Sequence, residues 1–324
     1  MKTRTLGRTN LEISEIGFGA WAIGGSWGEQ KESESIDALH RALDRGVNFI
    51  DTAAGYGDGR SERIIAKVLK ERRDKVFVAT KTPPAPGPWP PSPYCLDDER
   101  FSEAYLRLNV EERLRNLGTD RIDILQLHTL TLAWNKNPIP LDILKKLQAE
   151  GKIRFIGIST PEHDQNSLIN LMRRGYLDTV QVIYSIFEQE PAAEFLPAAR
   201  EANVGVIVRV VFDEGVLAGR YTKDTKFEPG DFRNQYFAGD RLERAVRRAS
   251  EIKKAITGSR WTLPQAEIKF ALAHPAVSTV ITGIRNVRQA EENTAVSELP
   301  DLPEDLLHRL RKHTWVRAFW YGGK

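Results

Sequence analysis

Along the chain, short runs of β-branched and aromatic residues alternate with longer stretches whose apolar positions recur at three- and four-residue spacing. The short runs predict strands of a parallel sheet, and the longer ones predict amphipathic helices packed against it. Strands are predicted at 15–18, 47–51, 76–81, 122–128, 153–159, 179–184, 206–209 and 278–281. Helices are predicted at 33–45, 61–72, 98–117, 141–150, 161–174, 192–202, 240–256 and 287–297. Eight strand-helix units predict an α/β fold closed as a (β/α)8 TIM barrel, which leaves no edge strand; a doubly wound open sheet is the second choice. Thr160-Pro161-Glu162 has the form of an N-cap followed by proline at the first helical position, and Gly118, Gly151 and Gly175 stand where helices close. Outside the repeat, the pattern predicts an N-terminal β-hairpin at 3–13, an extra helix at 263–273 before the eighth strand, and a C-terminal tail helix from Pro303. The 324 residues then form a single domain, a size that α/β barrels routinely reach.

Two loops break the rhythm. Residues 83–93 read PPAPGPWPPSP, and seven prolines leave that segment stiff and poor in backbone donors. Residues 213–239 form a long Gly- and charge-rich connection after the seventh strand, and such loops are functional or disordered. Both follow strand ends, where a barrel keeps its active site.

Composition narrows the class. With 41% hydrophobic and 28% charged residues the chain can bury a core. The net charge of +3 is spread along the chain, which argues against nucleic acid and membrane surfaces as partners and leaves small molecules. A lone cysteine, Cys95, offers neither an internal disulfide nor a metal cluster, so no metal is expected. The first residues lack the apolar segment of a secretory signal, and no stretch nears the ~20 apolar residues of a membrane span. A cytoplasmic protein, monomeric or weakly self-associating, is expected.

Ionisable groups end three consecutive predicted strands: Asp51 in VNFID, Lys81 in VFVATK and His128 in IDILQLH. Tyr56 follows in the loop TAAGYGDGRSE. Singly each has a plain structural role, as a turn cap, a solvated lysine, a core imidazole or a packing phenol. Together they suit proton donation to a carbonyl oxygen. A phenol normally titrates near about pH 10, and the Lys81 ammonium would stabilise its anion. Asp51 would keep Lys81 charged and aimed, and His128 would donate a hydrogen bond that orients the carbonyl or feeds the proton relay. No side chain delivers hydride, so a cofactor is required. A lysine at a barrel strand end could instead form a Schiff base, which needs a lysine without a tight carboxylate partner.

GFGAWAIGG, NFIDTAAGYGDGRSE, VFVATK, LGTDRIDILQLH, EGKIRFIGIS, QVIYS and ITGIRNVRQAEEN together resemble the aldo-keto reductase family, and the resemblance covers the whole chain. Within it, the chain is most similar to the bacterial general stress and inositol-utilisation reductases. The resemblance implies a catalytic tetrad of Asp51, Tyr56, Lys81 and His128 and NADPH-dependent reduction of aldehydes or ketones, with Tyr56 as the proton donor. It implies that Ser159 and Gln181 hold the nicotinamide carboxamide, with Thr160 where the family usually has Asn. It assigns the adenosine end to Gly283, Arg285, Arg288, Gln289, Glu292 and Asn293. There a helix N-terminus and two guanidinium groups suit phosphate, with Arg285 on a 2′-phosphate, so NADP is preferred over NAD. GVLAGRY, with Gly215, Leu217 and Gly219, resembles the family's pyrophosphate-covering loop. Arg209 replaces an aromatic ring that relatives stack on the nicotinamide, and its charge is expected to disfavour the cationic oxidised cofactor. The resemblance also leaves room for a nucleotide-binding subunit without turnover. Trp21, Trp27, Trp89 and Trp134 fall in loops at the same end and suggest an aromatic pocket for carbonyls with an apolar part.

Overall fold

The apolar runs become barrel strands because a strand covered on both faces tolerates nearly continuous hydrophobic sequence. In the computed structural model, which describes residues 1–72, 76–88, 96–130, 135–161 and 164–315, a short antiparallel hairpin comes first, β1 (Thr3–Thr5) with β2 (Glu12–Ser14). Eight parallel strands follow: β3 (Ile16–Gly19), β4 (Phe49–Asp51), β5 (Phe77–Thr82), β6 (Ile122–Leu127), β7 (Ile153–Ser159), β8 (Thr179–Ile183), β9 (Gly205–Arg209) and β10 (Val277–Gly283). Each pairs with its sequence neighbour, and β10 pairs with β3 to close the ring.

The hairpin has a positional role. It brings Leu6, Leu11 and Ile13 against Phe49, Ala79, Ile124, Ile207 and Ile281 inside the barrel, an apolar plug. Each such side chain contributes about 1.5–3 kcal/mol by leaving water. With that volume filled, the inward-facing polar groups of β4, β5, β6 and β8 gather at the carboxyl ends of the strands.

Most helices stand close to the predicted positions, among them Glu32–Asp44, Arg60–Arg72, Ile139–Ala149, Arg241–Ala255, the extra helix Leu263–Leu272 and the tail helix Glu304–Arg311. Gly118, Gly151 and Gly175 take the left-handed conformation (φ 63°, 79° and 74°) that closes a helix. Other boundaries differ. The helix expected at 98–117 is two, Asp97–Phe101 and Glu103–Leu117, because Ser102 turns out of the helix and its hydroxyl accepts from Tyr105 N at 3.3 Å. The helix expected at 161–174 does not start at Pro161; a 3-10 turn, Gln165–Leu168, leads into a short helix, Ile169–Arg173. Asp164, Asn166 and Ser167 belong to residue types of low helix propensity, which suit turns better than a continuous helix. Glu162 lies outside the described residues. The sixth and eighth segments behave similarly: Phe195–Glu201 follows a 3-10 turn, and Val287–Thr294 runs into one. Among the described residues, no helix is long and apolar enough to cross a membrane.

Candidate active site

Strand register puts the polar residues side by side. Asp51 ends β4 opposite Ala79 of β5, while Lys81, two residues on and therefore on the same face, pairs with Gln126 of β6. The Lys81 ammonium donates to Asp51 Oδ1 at 2.5 Å, to Thr52 O at 2.8 Å and to Tyr56 Oη at 3.1 Å. Lys81 is 0% and Asp51 1% exposed. His128 lies one residue beyond β6, where its backbone N–H donates to Thr82 O at 2.7 Å. Its imidazole meets the Tyr56 ring edge-on, with centroids 6.2 Å apart. The four residues expected to act together are thus brought together.

Their electrostatics follow from burial. Burial works to lower Lys81, but the Asp51 charge, then Tyr56, outweigh it and hold the ammonium above its ordinary value. Such a lysine keeps its proton and is no Schiff-base nucleophile. For Tyr56, Lys81 pulls the phenol down as expected, but it is not the largest influence. Burial raises the phenol, and the opposing pull of Lys81 does not overcome it, since Asp51 also pushes upward. Tyr56 therefore holds its proton at neutral pH. His128 is driven down to about 3 by burial and then by the charges of Lys81 and Arg209, so it is a neutral imidazole.

Above the tetrad lies a cavity of about 1190 Å3. Trp21, Trp27, Tyr56 and His128 border it at one end, Ser159, Thr160, Gln181 and Arg209 border its middle, and Gly215, Gly219, Gly283, Gln289, Glu292 and Asn293 border the other. Ser159 Oγ donates to Gln181 Oε1 at 3.3 Å, and the Gln181 amide donates to Asp51 Oδ2 at 2.6 Å. The Arg209 guanidinium donates to Thr160 O at 3.0 Å. Leu217 is fully buried, so its side chain belongs to the core of the loop turn. Arg285 turns to the loop after β3, with Nε on Gln30 Oε1 and Nη2 on Glu29 O, both at 2.8 Å. Arg288 pairs with Glu292 at 2.8 Å, and Glu292 also takes Arg220 at 2.9 Å. Gln289 Oε1 accepts from Arg285 N at 2.8 Å, and Asn293 Nδ2 donates to Gly283 O at 3.3 Å.

The loop after β9 crosses to the loop after β3. Phe232 N donates to Ser26 O at 3.1 Å, and the Arg233 guanidinium covers the Trp27 ring at 4.7 Å while Asp231 and Tyr221 Oη bind it. Trp21 lies roughly parallel to Tyr56 (28°, centroids 6.1 Å apart) and packs on Phe232 at 5.0 Å. Trp21 and Trp27 therefore wall the end nearest Tyr56. Trp89 and Trp134 lie outside the described residues.

Sequence reasoning missed Phe232 and Arg233, which reach the site only through long-range packing. It also missed Gln126, which is fully buried with its amide 3.2 Å from Asp51 Oδ2. The signal for Gln126 is its spacing: two residues before His128 in a strand, it shares that face.

Comparison with known proteins bears on the family and the fold. The profile of the Aldo/keto reductase family matches residues 15–314. The chain is 32% identical over 315 residues to the aldo-keto reductase YhdN of Bacillus subtilis, covering 92% of this chain and 88% of that one. It is 29% identical over 310 residues to the NADH-specific methylglyoxal reductase of Escherichia coli, covering 91% and 93%. Its fold is similar to the holo form of aldo-keto reductase AKR11C1 from Bacillus halodurans, with a TM-score of 0.77, 27% identity and 99% of each chain covered.

Proposed function

Because the chain belongs to the aldo/keto reductase family and is an oxidoreductase, we propose that it reduces aldehydes or ketones to alcohols with NADPH, Tyr56 giving the proton. The observation that carries this reading is the phenol of Tyr56, 3.1 Å from a buried ammonium that is itself clamped by Asp51 at 2.5 Å, beside one long cavity.

The residues present fit a nicotinamide dinucleotide. The cavity extends from the tetrad to the start of the helix Val287–Thr294, and Gly283 borders it where a Cβ would meet nothing within 4 Å. Ser159 and Gln181 offer a hydroxyl and an amide for a carboxamide, and the loop of Gly215 and Gly219 also borders the cavity. When bound, the cofactor supplies the hydride that no side chain can. Tyr56 Oη gives its proton to the carbonyl oxygen, and the Lys81 ammonium steadies the phenolate left behind. His128, neutral above about pH 3, is a hydrogen-bond donor to the same oxygen and not the acid. Trp21, Trp27 and Phe232 favour carbonyls with an apolar part over heavily hydroxylated ones.

Preference for NADPH over NADH rests chiefly on Arg285. Arg288 is neutralised by Glu292, whereas Arg285 is held by neutral acceptors that a 2′-phosphate can replace. The rival is NADH, the cofactor named for the Escherichia coli relative. A screen of cofactor oxidation across aldehydes, ketones and quinones, run with each cofactor and in reverse with inositol-like polyols, tests the reading. Turnover of apolar carbonyls with NADPH is expected. Tight cofactor binding without turnover would point to a nucleotide-binding subunit.

A further inference from the structure

Asp51 has two oxygens and three donors. Lys81 takes Oδ1, while Gln181 and Gln126 share Oδ2 at 2.6 Å and 3.2 Å. Both glutamines are fully buried, but Gln181 borders the cavity and Gln126 does not. Room for Gln126 is built in. Its β7 partner is Gly157, where a Cβ would lie 3.1 Å from Gln126 Cγ and well inside contact distance of Thr179 Oγ1. Gln126 Oε1 has no hydrogen-bond partner. A glutamine kept only for packing would be replaced to advantage by an apolar residue, which leaves no buried oxygen unmet.

We infer that Gln126 is a positioning residue: it holds Asp51 Oδ2 when Gln181 leaves it for the carboxamide of the bound cofactor. This rests on the reading of the cavity as a nicotinamide site. The Gln181 amide has two claimants, Asp51 and the carboxamide. Without Gln126, its turn toward the cofactor would strip Oδ2 of every amide donor at a residue only 1% exposed, where a carboxylate tolerates that poorly. With Gln126 in place, Asp51 stays bonded at both oxygens and Lys81 stays aimed at Tyr56.

The test is a double-mutant cycle on cofactor affinity, read by quenching of tryptophan fluorescence with NADPH alone. Gln126→Met, which keeps volume but loses the amide, weakens binding by roughly 10-fold or more, about 10-fold being the lower end of what one hydrogen bond to a charged group contributes. In a Gln181→Met background, where no amide needs to leave Asp51, the same change costs little further affinity. If Gln126→Met does not fold, Gln126→Asn, too short to reach Asp51, carries the same expectation. An unchanged dissociation constant, or an equal loss in both backgrounds, overturns the inference. A native chain that binds no NADPH overturns the nicotinamide reading itself, and this inference with it.

Discussion

Replacing Asp51 by Asn removes the one carboxylate bonded to the Lys81 ammonium, and the geometry sets the size of the loss. The pair is 2.5 Å apart, with side chains 0% and 1% exposed, so no solvent compensates the remaining charge. Removing one partner of a buried pair costs about 3–5 kcal/mol. The amide keeps the volume and can still accept from Lys81, which places the loss near the lower end, about 3 kcal/mol. The loss also has a definite pH dependence. In the native protein Lys81 is held above its ordinary value, so its contribution is full below the unfolded value of about 10.4 and fades only as pH rises through the higher folded value. In the variant burial dominates, and the folded lysine titrates below the unfolded one. The stability gap is then largest near neutral pH and narrows in alkali, by up to about 1.4 kcal/mol per pH unit once the variant's lysine loses its proton. Urea unfolding followed by circular dichroism, at about pH 7 and about pH 9.5 with unchanged m-values, measures both features. A gap below about 1 kcal/mol at neutral pH, or one that does not move with pH, would refute the reasoning.

Three further outcomes are expected. Arg209→Tyr removes a guanidinium that borders the cavity and whose charge reaches both Tyr56 and His128, so the ratio of NADP+ to NADPH dissociation constants should fall. Titration calorimetry of both cofactors checks it, and an unchanged ratio removes Arg209 from redox discrimination. His128 stays neutral until about pH 3, so the reduction rate should show no inflection near its ordinary value of 6.5. Because its folded value lies below the unfolded one, His128 also makes stability fall as pH drops from 6.5 toward 3. His128→Gln should therefore flatten that part of the acid-unfolding profile, while an unaltered slope would mean the imidazole takes up protons in the folded state.

The barrel was legible because its strands are buried on both faces, and eight such runs leave few other closures. The tetrad was legible for a related reason: Asp51 and Lys81 stand at or next to the ends of apolar strands, where an ionisable group is conspicuous. Gln126 was not, since one amide inside IDILQLH looks like ordinary strand polarity until register sets it beside Lys81. The clasp of Arg233 on Trp27 joins positions over 200 residues apart, which no local pattern encodes. Local signals also misjudged the helix after β7, where Thr160 and Pro161 border the cavity and do not cap a helix. The sign of the Tyr56 shift depended on how deeply the phenol is buried, which is a property of the closed site.

The central claim is that Tyr56 supplies the proton. Tyr56→Phe keeps the ring against Trp21 and removes only the hydroxyl bonded to Lys81. Measured beside the native protein, it should bind NADPH with unchanged affinity while carbonyl reduction falls by about 10²- to 10⁴-fold, the usual contribution of a general acid. A variant that still reduces carbonyls at the native rate would contradict the account.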